Sequence, residues 1–221
     1  MTSQAIDCLG VVLAGGLSSR MGQDKAQLKR QQKATSPSEN SAHNMLDFSK
    51  QLLADAGIKD IVISGDNHQI PDRVAHAGPV GGIYSVLAHY PEHLQPKALL
   101  ILPVDLPLMT AAALSELRLK GELSQKATFF RDSQKKMHHI PLYLPNNALL
   151  NMFLLQAFHR EKLLVNRTNN YTNNETKKSK SGPSVRAMLE QVPHQAIASL
   201  NNQVLFNTNT PEQWQQAQQK F

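Results

Sequence analysis

Short apolar runs alternate along the chain with stretches whose apolar residues recur at helical spacing. Residues 7–14, "DCLGVVLA", predict a buried strand that feeds directly into "GGLSSRMGQDK". Met45, Phe48, Leu52, Leu53 and Ala56 then repeat at helical spacing, and Gly57 supplies the stop. "KDIVISGDN" predicts a strand that breaks at Gly65, and "GPVGGIYSVLAHY" a glycine turn opening a helix with Ile83, Val86, Leu87 and Tyr90 facing inward. "KALLILPVDLPLM" is the most apolar strand and delivers Asp105 at its end. Thr110 caps the next helix, which carries Leu114 and Leu117 and ends near Gly121.

In the second half, "ATFFR" and "HIPLYLP" predict two strands, and Asn146 to His159 a helix with Leu149, Leu150, Phe153 and Leu154 on its apolar face. Ser184 to Val192 reads as a helix. "VLFNTNTPEQW" reads as a last strand feeding a terminal helix, with Thr210 and Gln213 as a capping-box pair around Pro211. Two polar stretches, 31–44 and 169–183, read as flexible insertions in a single domain spanning residues 1–221. Strands alternating with helices predict an α/β fold, a mainly parallel sheet covered on both faces in three layers. Ligands of such sheets sit beyond the carboxyl ends of the strands. Three polar clusters fall at strand ends: 14–25, Asp105, and Asn207 with Asn209. Their meeting at one rim is the central expectation.

Composition narrows the function classes. The formal net charge is +6, but the basic runs "KKSK" at 177–180 and "KK" at 135–136 carry no interleaved aromatics. That argues against a nucleic-acid partner and suits a small polyanionic substrate. Cys8 is the only cysteine, so neither a disulfide framework nor a thiolate zinc site is available. The first residues lack the basic stretch and apolar core of a signal peptide, and no apolar run nears the ~20 residues that span a bilayer. A cytoplasmic protein with no membrane partner is expected.

The strand-end residues carry the candidate chemistry. Gly15 and Gly16 let the backbone turn and bring N–H groups against an anion. Ser18 adds a hydroxyl, Arg20 a planar fork and Lys25 a compact charge, an inventory suited to a phosphate chain. The string is neither a Walker A loop nor a dinucleotide fingerprint. Asp105 suits Mg²⁺, which takes one or two carboxylates together with substrate phosphates and water. Asn207 and Asn209 either help position phosphate or metal, or serve as turn residues before the terminal helix. His139 is a candidate for lining an acceptor pocket, and Gly81 and Gly82 for positioning phosphate or acceptor. No serine elbow or Cys/His pairing points to covalent catalysis.

Taken together, "VVLAGGLSSRMGQDKAQL", "GPVGGIYSVL", "LILPVDLPLM", "HHIPLYL" and "FNTNTPEQW" occur in an order that resembles the MobA-type nucleotidyltransferases, the molybdenum cofactor guanylyltransferases. The resemblance implies a Rossmann-like nucleotidyltransferase domain that transfers GMP from Mg-GTP to the terminal phosphate of molybdopterin cofactor and releases pyrophosphate. It implies nucleotide contacts at Leu13, Ala14 and Gly15, a phosphate contact at Lys25 and Mg²⁺ at Asp105. Ser64 falls where the family often has a guanosine-contacting asparagine, and Asp72 stands in for an aspartate slightly upstream of the "GP" turn. The product would pass to molybdoenzymes or their chaperones. The long 31–44 stretch, where the family has a short turn, departs from the pattern. Cytidylyl or sugar-phosphate nucleotidyl transfer, and a carrier without turnover, are the alternative readings.

Overall fold

The five residues of β1, Leu9–Leu13, are all buried, and their side chains alternate between two separate cores. Leu9, Val11 and Leu13 face one core, whereas Val12 faces the other, as a strand covered on both faces requires. β1 lies between β4 (Asp60–Ser64) and β5 (Ala98–Pro103), parallel to both. β5 repeats the alternation, with Leu99 and Ile101 on the first face and Ala98, Leu100 and Leu102 on the second.

A computed structural model describes residues 6–15, 25–30, 43–165 and 182–221, without the side chains of 43 and 159–165. Two short strands, β2 (Lys29–Arg30) and β3 (His43–Asn44), pair antiparallel beside the main sheet. β6 (Ala127–Arg131), β7 (Met137–Pro145) and β8 (His194–Ala198) complete the six-stranded sheet, ordered β4-β1-β5-β7-β6-β8. Only β7 runs antiparallel to the other five. α2 (Gly78–Leu87), α4 (Ala148–Val165) and α5 (Val185–Leu189) cover the first face. α1 (Met45–Asp55) and α3 (Ala111–Ser124) cover the second, and α6 (Pro211–Gln218) packs Trp214 against Met45. The expected mainly parallel, three-layer α/β fold is what the chain adopts.

Four local expectations need correction. The segment at 202–205 forms a 3-10 turn rather than a strand, because the Asn201 side chain accepts the Gln203 N–H and starts the turn. The sheet's final strand is instead β8, "HQAIA", an edge strand whose half-polar surface hides its signal. α3 does not stop at Gly121; it continues to Ser124 and closes on Gln125 in the left-handed region, φ 55°. Gly121 is needed for packing, since a Cβ there would lie 2.0 Å from the Tyr143 ring. Finally, 43–44 and 182–183 are not part of flexible insertions: the former form β3, with Asn44 capping α1, and Gly182 packs against Ala77. Residues 31–42 and 169–181 lie outside the described residues.

Candidate functional site

The parallel register ends level across β4, β1 and β5, with Leu13 opposite both Ser64 and Pro103. The chain leaving each strand therefore emerges at the same rim. Ala14 N–H donates to Ser64 O (2.9 Å), and Val104 N–H to Leu13 O (3.3 Å), carrying the ladder one step past the strands. The segment before α6 joins this rim, where Thr208 gives both its N–H (2.9 Å) and its hydroxyl (3.2 Å) to the Asp105 carbonyl.

Lys25 stands at the centre of the assembly, on the 3-10 turn Lys25–Gln27. Its ammonium donates to Asn209 Oδ1 at 2.7 Å and to Asp105 Oδ2 at 3.2 Å. The two charged side chains are only 16% and 17% exposed, so they interact through a medium less screening than water. Asn209 is held in turn by the α6 capping box, with Gln213 Oε1 accepting from the N–H groups of Asn209 (2.7 Å) and Thr210 (3.2 Å). Three segments distant in sequence thus deliver a cation, a carboxylate and an amide to one point.

Asp105 Oδ1, by contrast, is buried without a hydrogen-bond partner among the described residues. A buried carboxylate oxygen left idle carries a desolvation cost that a ligand would recover. Among the described residues no group of three or more His, Cys, Asp and Glu side chains is placed to hold a metal by itself. The donor set fits a hard cation that takes its remaining oxygens from a substrate and water.

Beside this cluster the ends of β1 and β4 approach closely. At Gly65, φ +152°, a Cβ would lie 2.8 Å from Gly15 N, a position only glycine fills without strain. A Cβ at Gly15 would meet Asp72 Oδ2 at 3.4 Å, and one at Gly82 would meet Leu13 Cδ2 at 3.0 Å and Ser64 Oγ at 3.2 Å. Ser64 Oγ is the second buried polar atom at this rim without a partner among the described residues. Burial, reinforced by the Asp66 carboxylate, pushes the Asp72 carboxyl above its ordinary range.

Two groupings therefore emerge from the predicted residues: Lys25, Asp105 and Asn209 by hydrogen bonds, and Leu13, Ala14, Gly15, Ser64, Asp72 and Gly82 by close approach at the neighbouring strand ends. Gly81 packs against Ala77 inside α2, and Asn207 is exposed. His139 packs edge-on against Phe129 (5.1 Å between ring centroids). Burial first, then the nearby Arg186, His138 and His194, lower its pKa. Gly16, Ser18 and Arg20 lie outside the described residues. The sequence reading missed Thr208, whose burial and two bonds to the Asp105 carbonyl are visible only once the two segments meet.

The family model for the MobA-like NTP transferase domain matches residues 10–170. The chain is similar to a molybdenum cofactor guanylyltransferase of Xanthomonas euvesicatoria pv. vesicatoria (strain 85-10), 32% identical over 210 residues, covering 93% of this chain and 91% of the relative. Its fold is similar to that of molybdopterin-guanine dinucleotide biosynthesis protein A from Archaeoglobus fulgidus, with a TM-score of 0.63 at 14% identity and coverage of 96% and 97%. It is also similar to a Mycobacterium tuberculosis H37Rv protein crystallised in complex with manganese, with a TM-score of 0.54 at 13% identity and coverage of 98% and 100%. With the family model spanning well over half of its length, and a curated relative matched nearly end to end, the chain belongs to the MobA-like NTP transferase family.

Proposed function

We propose that this protein transfers GMP from GTP to the terminal phosphate of molybdopterin cofactor. A phosphate oxygen of the cofactor attacks the α-phosphorus of GTP and forms the new P–O bond. The bond from that phosphorus to the α–β bridging oxygen breaks, and pyrophosphate leaves with the electron pair. The nucleophile is already an anion, so no strong general base is needed, and the protein's work is positioning and charge neutralisation.

The observation that carries the reading is the Lys25–Asp105–Asn209 cluster with its idle carboxylate oxygen. Lys25 supplies positive charge to the phosphates, held in place by Asn209. Asp105 Oδ1 would hold Mg²⁺, which when bound would neutralise charge on the reacting phosphates. Leu13, Ala14 and Gly15 would line the nucleotide, continued by Gly16, Ser18 and Arg20 around the phosphates. Ser64 and Asp72 would face the nucleoside, where the Ser64 hydroxyl, without a partner among the described residues, offers a hydrogen bond. Gly81, Gly82, His139 and Asn207 remain candidates for acceptor or phosphate positioning. The name of the Xanthomonas relative supports guanylyl transfer, and the manganese complex of the mycobacterial structure supports a divalent ion. None of the described helices is long and apolar enough to cross a membrane, and a GTP-consuming step suits the cytoplasm, where molybdoenzymes or their chaperones would collect the product.

Calorimetry with GTP, CTP, ATP and UTP, with and without magnesium, combined with pyrophosphate release from reduced cofactor, tests the reading. GTP is expected to bind tightest and to turn over only with the metal. Asp105→Ala is expected to abolish turnover while the protein stays folded. Equal binding of all four nucleotides would refute a guanine-specific site, GTP binding without turnover would favour a carrier, and activity in the Asp105 variant would remove the metal assignment.

A further inference from the structure

The three members of the Lys25 cluster stand on segments 25–30, 104–109 and 206–210, and a second residue of the first segment touches the second segment, α1 and the chain just past α6. Arg30 lies in the same short segment as Lys25. Its Nε–H donates to the carbonyl of Pro107 (3.1 Å), two residues beyond Asp105. Its guanidinium carbon lies 4.4 Å from the ring centroid of Phe48 in α1 and 4.5 Å from that of Phe221, beyond α6. Phe221 in turn packs edge-on against Trp214 of α6, with centroids 6.0 Å apart.

We propose that Arg30 is a positioning residue, a clamp that sets Lys25, Asp105 and Asn209 at their working distances without touching substrate. The inference rests on the reading of that cluster as the phosphate and metal site. Among the described residues the Lys25 segment is further held by the burial of Ala26, the β2–β3 pairing and a few local contacts. Met45 N–H donates to Leu28 O (2.9 Å), β2 is two residues long, and Leu28 packs beside Met45 and Trp214. α6 carries the capping box that holds Asn209, so Phe221 ties the amide's support to the lysine's segment. Only a planar guanidinium offers flat faces to rings and an N–H edge to a carbonyl at once; a lysine ammonium does not. Among the described residues the guanidinium has rings and a carbonyl as partners, not a carboxylate, and its burial pulls the pKa below the ordinary arginine value.

The test uses the full chain with Arg30→Lys, Arg30→Met, Phe221→Leu and Phe221→Tyr. Trp214, the only tryptophan, reports α6 packing through its emission. Acetylation of Lys25 by an amine-reactive ester, read by mass spectrometry against the exposed Lys97 of the same molecule, reports the cluster without relying on any activity. Both Arg30 variants and Phe221→Leu are expected to raise the Lys25 to Lys97 labelling ratio about tenfold. They are also expected to lower kcat for GTP by about tenfold or more at little-changed KM, because small misplacements are costly in turnover. Phe221→Tyr, which keeps a ring, is expected to restore the wild-type ratio, emission and kcat.

Should Arg30→Met unfold, Arg30→Lys, which keeps charge and stem, decides the matter. A wild-type labelling ratio in the Arg30 variants would overturn the clamp, and a raised ratio with unchanged kcat would overturn its positioning role. If the wild-type protein turns over no GTP, the guanylyltransfer reading fails, while the labelling ratio still decides the clamp.

Discussion

Two carboxylates, each with a side-chain nitrogen at the same distance, occupy different settings in this molecule. Lys25 and Asp105 stand 3.2 Å apart across 80 residues of chain, and His138 and Asp132 stand 3.2 Å apart across six. In the second pair the carboxylate is fully employed, since Asp132 Oδ1 accepts the N–H groups of Gln134 and Lys136, each at 2.9 Å, while Oδ2 meets His138. It closes the turn between β6 and β7. In the first pair Oδ1 is buried and has no partner among the described residues. Similar pairing therefore says little about role. The candidate site is distinguished by a carboxylate oxygen left without a partner among the described residues, whereas the carboxylate that staples a turn has both oxygens satisfied.

The strongest way to break this comparison is to remove the nitrogen partner from each carboxylate. Lys25→Met is expected to lower pyrophosphate release from GTP by 100-fold or more, on the order of losing one electrostatic stabiliser of a reacting group. His138→Gln is expected to stay within about twofold of wild type. Comparable losses in both variants, measured as initial rates at saturating GTP, would erase the distinction.

Stability against pH separates the pairs more gently. Burial raises the Asp132 carboxyl, but the bonds from His138, Lys136 and Gln134 outweigh it and hold the pKa below the ordinary 3.8. A carboxyl depressed on folding contributes stability above 3.8 that disappears as pH falls through the lower folded value. Asp132→Asn should therefore melt at a lower temperature than wild type at pH 7, by calorimetry, and the gap should close on acidification toward that lower value. A gap that persists unchanged in strong acid would show that the turn is held by something other than the ionised carboxylate.

Asp72 supplies the smallest effect and a third case, a half-buried carboxylate whose pKa no cation among the described residues lowers. Burial and Asp66 raise its pKa, so its stability contribution is present at low pH and lost as pH rises through the raised folded value. Asp72→Asn should stabilise the protein at pH 7 by no more than about 0.5 kcal/mol, because the carboxyl is only half-buried and solvent-screened. It should also weaken GTP binding. A lower melting temperature would mean that the carboxylate has a stabilising partner.

Legibility from sequence followed the kind of interaction involved. The strands β1 and β5 were plain because both of their faces are buried, leaving uninterrupted apolar runs. The Thr210–Gln213 cap was plain because its partners are neighbours in sequence. β8 was missed because an edge strand buries too little to mark its pattern, and Gly121 misled because its reason is the ring of Tyr143 on another strand. Nothing local distinguishes Asn209 from Asn207. Docking of Thr208 onto Asp105 turned one amide toward Lys25 and left the other exposed.

Local patterning alone determined the layer architecture and the delivery of Leu13, Ser64 and Asp105 to strand ends, since period and capping act over a few residues and parallel strands share a direction. Which of those residues meet, which carboxylate oxygen stays idle, and which cation is clamped were decided only in three dimensions. Those outcomes depend on contacts between segments up to 184 residues apart, whose distances no periodicity encodes.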